Sequence, residues 1–202
     1  IEGSTLTELD TQLLFEEGVT AKGKPLVHHL MNEDLNQAYE LANAETISLV
    51  PVTPAFLQRL NATLMRTTGS VHSVTGGSFD SSKGEFRLCG VTAGVGEHSY
   101  MNYLKVPAKI DEFCAILQAK QKTTGTFREQ YKLSFNVHLN LVTIHPWIDG
   151  NGRTARLLMN YIQFCYHLFP TKIFKEDREE YILSLRQCQN EESNHPFLDF
   201  MA

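Results

Sequence analysis

Residues 145–156 read HPWIDGNGRTAR, and their order decides the fold. The apolar positions Phe135, Leu139 and Val142 recur at helical spacing before this stretch, so residues 127–144 form a helix. Pro146 stops it, because the residue before a proline is pushed out of the α region. His145 therefore stands at a helix end. Leu157, Leu158, Tyr161, Ile162 and Cys165 then mark a second helix over residues 153–168, opened by Asn151, Gly152 and Arg153. The polar stretch is thus a tight link between two apolar helices, at the N-terminus of the second.

That placement has chemical consequences. Unsatisfied N–H groups and the helix dipole make a helix N-terminus an anion site. Gly150 and Gly152 let backbone approach a phosphate without a Cβ in the way. Asn151 suits a capping position and can also donate an amide hydrogen bond. Arg153 and Arg156 lie three apart on neighbouring positions of one helical face. Two guanidinium forks there suit a polyphosphate better than a single carboxylate. Asp149 is placed to hold Mg²⁺ beside phosphates, and His145 to take a proton from a nucleophile. Each residue alone also has a structural explanation as turn, cap or solvated face. Their conjunction in one helix–loop–helix link points to phosphate-bond chemistry.

The stretch resembles the signature of Fic-domain proteins, H-P-F-x-[D/E]-G-N-[G/K]-R-x-x-R, at eight of nine specified positions. Trp147 replaces the usual Phe, and its indole N–H needs a partner or solvent. The likeness runs from about Ile1 to Met201 and implies a mainly α fold with one β-hairpin flap over the active site. It implies a single Fic domain over 1–202: N-terminal helices to 50, a core over 51–175 with a flap at 84–93, and a C-terminal helix and tail from 176. Most characterised members transfer AMP from ATP to a protein hydroxyl. The resemblance then makes His145 the base, gives Mg²⁺ to Asp149 and the α-phosphate to Asn151 with Gly150 and Gly152. The β-phosphate falls to Arg153 and the γ-phosphate to Arg156. Other members transfer UMP, phosphate or phosphocholine, or remove AMP. Gly152 argues against phosphotransfer, which accompanies Lys there. A nucleotide-sensing module with little catalysis is the reading from another class.

Two further segments follow from the resemblance. GEFRLCGVTAG, residues 84–94, alternates enough to read as a hairpin and resembles the flap that holds a target segment by strand pairing. Phe86, Arg87, Leu88 and Val91 are its expected docking residues. The opening IEGSTLT resembles the end of an inhibitory motif, which makes Glu2 the glutamate that pairs with Arg156 and blocks the γ-phosphate site.

The rest of the chain supplies the frame. Helices are expected over residues 7–15, 24–44, from Pro54 to 64, over 108–119 and 178–189. Glycines crowd residues 69–107, where helical periodicity disappears. His138 lies two turns before His145 and reads as a packing histidine, His28 and His29 as surface, and His195 as part of a packing C-terminal helix. The 202 residues suit one domain, and 42% hydrophobic composition suits a folded one. A net charge of -5 gives no case for broad nucleic-acid or membrane binding. Cys89, Cys114, Cys165 and Cys188 are too dispersed for a zinc ribbon or a disulfide scaffold. The expected partners are ATP, a protein substrate on the flap and a second copy in a homodimer. The expected location is the cytoplasm.

Overall fold

Helices α5 (Phe127–Ile144) and α6 (Asn151–Cys165) pack against each other at the centre of a computed structural model that describes residues 4–93 and 98–202. Helix α5 opens on a capping box: the Thr126 hydroxyl accepts from the Glu129 N–H and the Glu129 carboxylate accepts from the Thr126 N–H. Its apolar face, including Leu133, Val137 and Leu141, is buried, and so are Leu157, Leu158, Met159, Tyr161 and Ile162 of α6. Around this pair lie α2 (Leu26–Ile47), α3 (Pro54–Leu64) and α4 (Val106–Gln121). Pro54 occupies the first turn of α3, where its missing N–H costs nothing, and Thr53 caps the helix through the Phe56 N–H at 3.1 Å. Helices α1 (Glu8–Glu17), α7 (Arg178–Glu191) and α8 (His195–Phe200) complete the helical set among the described residues. One hydrophobic cluster runs from Ala38 of α2 to Phe197 of α8.

The expected mainly helical fold is present. Strands β1 (Val71–Val74) and β2 (Gly77–Asp80) form an antiparallel hairpin with Val74 opposite Gly77. Gly77 turns with φ 125°, a conformation that glycine adopts at low cost. This hairpin was not expected from the sequence; the segment expected to pair, 84–94, carries one strand of a second, shorter ladder. Residues 84–91 lie outside the paired strands, and only Thr92–Ala93 (β3) pairs, with His98–Ser99 (β4). The Arg87 N–H goes to Pro146 O in the α5–α6 link instead of to a neighbouring strand.

Two smaller expectations also change. His29 is buried, its Nε2 accepting from the Ala21 N–H at 2.9 Å. Helix α6 begins at Asn151, and its N-cap is Gly150 rather than Asn151.

Candidate functional site

The link begins where α5 ends. His145 has φ 52° and ψ 60°, so it closes α5 as a left-handed C-cap with its N–H on Leu141 O at 3.0 Å. A non-glycine residue in this region stores strain, which must be held by its surroundings. The imidazole Nδ1 lies 3.3 Å from Val142 O, so Nδ1 carries the hydrogen and Nε2 presents the lone pair. Tyr100 stacks on the ring with centroids 3.7 Å apart and planes 16° from parallel. Burial pulls the imidazole down to about 4. At neutral pH it is uncharged, the form that can accept a proton.

Trp147 anchors the middle of the link. It is fully buried, and its indole N–H donates to Gly84 O at 2.9 Å, so the extra polar atom relative to Phe is satisfied. Asn151 reaches back across the turn. Its Oδ1 accepts from the Trp147 N–H at 3.1 Å and its Nδ2 donates to Trp147 O at 2.9 Å. The amide is therefore occupied in closing the loop. Gly150 has φ 79°, and a Cβ there would lie 2.8 Å from Asn61 Nδ2 and 3.1 Å from Met65 Sδ. Asn61 of α3 supports the turn from behind, donating to Thr154 Oγ1 at 3.0 Å and to Asp149 O at 3.4 Å.

The charged residues converge on this turn. Asp149 Oδ1 accepts from the Gly150 N–H at 2.6 Å, while the side chain stays 65% exposed. Arg153 is only 5% exposed; its Nη2 approaches Asp149 Oδ2 and Met65 Sδ, each at 3.4 Å. Its Nε and Nη1 are buried without a partner. A buried guanidinium with unused donors beside a helix N-terminus fits an anionic ligand such as phosphate. Among the described residues no three ligating side chains gather for a metal. Asp149 therefore suits Mg²⁺ only as one carboxylate beside phosphate oxygens and water. Arg156 lies one turn further, its Nη1 donating to the Tyr181 hydroxyl at 3.4 Å. His138, fully buried, shares that hydroxyl through Nε2 at 3.1 Å and stacks on Phe197, so it is a packing residue as expected.

A family model described as Fic/DOC matches residues 51–163. The chain belongs to the Fic/DOC family. The curated relatives include protein adenylyltransferase Fic of Drosophila yakuba and of Drosophila willistoni, each 30% identical across the whole of this chain. The chain spans 38% of the first relative's length and 37% of the second's. A Fic-domain signalling protein from Bacteroides thetaiotaomicron superposes with TM-score 0.82 at 26% identity, covering 98% of this chain and 76% of that one. The fold alone is shared with BepC of Bartonella tribocorum, solved with bound AMPPNP, which has TM-score 0.55 and 15% identity and covers 92% of this chain and 88% of that one.

Within this Fic/DOC chain the expected residues fall in three groups. His145, Asp149, Gly150, Asn151, Gly152, Arg153 and Arg156 share the α5–α6 link and the first turns of α6. Glu2 lies outside the described residues. Phe86, Leu88 and Val91 are partly exposed, but Arg87 is fully buried, its guanidinium on three backbone carbonyls. Its expected docking role is therefore replaced by a structural one. Tyr100, Asn61 and Tyr181 are contributors that sequence reasoning missed. Their contacts come from distant segments, and no local spacing marks them.

Proposed function

We propose that this domain transfers AMP from ATP to a hydroxyl side chain of a target protein, with release of pyrophosphate. The observation that carries the reading is Arg153: buried, with Nε and Nη1 unpartnered, in the first turn of the helix that follows the link opened by a neutral His145. The N–H groups of Asn151 and Gly152, joined by that of Gly150 once Asp149 turns from it to Mg²⁺, would receive the α-phosphate, with the Asn151 side chain fixing the turn. Arg153 would receive the β-phosphate and Arg156 the γ-phosphate. Asp149 would hold Mg²⁺, which when bound neutralises phosphate charge. His145 Nε2 takes the proton of the target hydroxyl as its oxygen attacks the α-phosphorus. The bond to the pyrophosphate oxygen breaks, and Arg153 and Arg156 stabilise the departing charge.

Glu2 would regulate the same site by pairing with Arg156 where the γ-phosphate belongs. The target would dock along the flap, against Phe86, Leu88 and Val91 and on the β3 edge. A homodimer and a cytoplasmic location complete the proposal. Among the described residues no helix is long and apolar enough to cross a membrane.

The test is transfer from α-labelled ATP into protein by a Glu2→Gly variant in a cell lysate. Label on protein, lost with His145→Ala, supports the reading. ATP binding without transfer would leave a nucleotide-sensing module. Release of AMP from a pre-modified protein would point to the reverse reaction.

A further inference from the structure

Arg87 belongs to no part of that mechanism, yet its guanidinium is fully engaged beside it. It is 0% exposed. Its Nε donates to His145 O at 2.8 Å, its Nη1 to Cys89 O at 2.7 Å and its Nη2 to Met101 O at 2.5 Å. Its backbone N–H donates to Pro146 O at 3.0 Å. Both carbonyls at the turn out of α5 thus end on one residue, and the guanidinium charge sits at the negative end of that helix.

The three carbonyls are informative in their positions. Cys89 precedes β3 and Met101 follows β4, so the guanidinium ties together both ends of the segment that carries the short ladder. The third carbonyl belongs to His145, the residue held at positive φ. Tyr100, adjacent to Met101, lays its ring on the imidazole and sends its N–H to Val91 O at 3.1 Å. Backbone and ring of His145 are therefore both gripped from the flap side. The rest of the link is fixed by Asn61 and Asn151, and the indole of Trp147 ties it to Gly84 O.

We propose that Arg87 is the positioning residue of the base: by binding His145 O, Cys89 O and Met101 O at once, it makes the flap and the imidazole one mechanical unit. A target segment docked on Phe86 or Leu88 then bears on His145 through the same bonds. The inference rests on His145 being the base of the proposed transfer. Lysine can replace the fork only in part: its ammonium keeps the charge at the helix end but cannot reach three carbonyls that lie in different directions.

The test compares Arg87→Gln and Arg87→Lys in the Glu2→Gly background, by AMP transfer, ATP affinity and the ¹⁵N-detected ring signals of His145. Losing the alignment of one reacting group should slow kcat about a hundredfold in the Gln variant, with ATP affinity within about twofold. The Lys variant should recover part of the rate, and the His145 ring signals should shift in both while those of His138 stay. If Arg87→Gln does not fold, the Lys variant carries the comparison. Unchanged kcat with unmoved His145 signals would overturn the proposal, as would a loss confined to ATP affinity. If the parent protein transfers no AMP, the proposed function fails, while the ring signals and ATP affinity still judge Arg87.

Discussion

At the scale of the residue, geometry rather than composition gives the link its properties. Gly150 combines φ 79° with a space that a Cβ would fill against Asn61, which Thr154 holds in place. Gly150→Ala should lower stability by about 2 kcal/mol or more, read from urea unfolding. Arg153 keeps two donors that protein atoms do not use. Arg153→Ala should weaken ATP binding by about 10- to 100-fold, the worth of one or two charge-assisted bonds, measurable by titration calorimetry. His138 and His145 impose a pH dependence. Burial holds them down to about 3 and about 4, below the 6.5 of a free imidazole. Between those values the unfolded chain binds more protons than the folded one, so stability is present above about 6.5 and falls as pH drops toward 4. Melting temperatures should decline across that window, and His138→Phe should flatten the decline. A midpoint that rises between pH 6.5 and 4 would contradict the burial of both rings.

At the scale of the element, what was legible in the sequence is what is encoded locally. Residues 127–144 were marked by apolar spacing and by Pro146, and α5 spans Phe127–Ile144. Thr53–Pro54 similarly announced the start of α3. The β1–β2 hairpin was passed over although VHSVTGGSFD alternates around glycines as GEFRLCGVTAG does. What separates them is the long-range bond from the Arg87 N–H to Pro146, which no local pattern reports. The same limit hid the role of the Arg87 side chain, since its acceptor at His145 lies 58 positions away. The residues proposed to bind phosphate could be picked out because they sit within twelve consecutive positions; their supports from Asn61 and Tyr100 could not. Trp147 connects the two regions through Gly84 O. Trp147→Phe should cost about 1–2 kcal/mol in denaturant unfolding, because it leaves that carbonyl buried without its donor.

At the scale of the whole molecule, the C-terminal helices close over the back of the site. Phe197 of α8 is fully buried and stacks on His138 of α5, and Tyr181 of α7 joins His138 to Arg156. Phe197→Ala should cost about 3–5 kcal/mol through the cavity it leaves. The ends of the chain thus meet near Arg156 in the proposed scheme, α7 through Tyr181 and the N-terminus through Glu2. The central claim is chemical, and the most direct measurement is the intact mass of a target after incubation with ATP, Mg²⁺ and the Glu2→Gly variant. A gain of one adenylyl group that disappears with His145→Ala is predicted. The same gain at full rate from His145→Ala, or the mass of a phosphoryl group in its place, would contradict it.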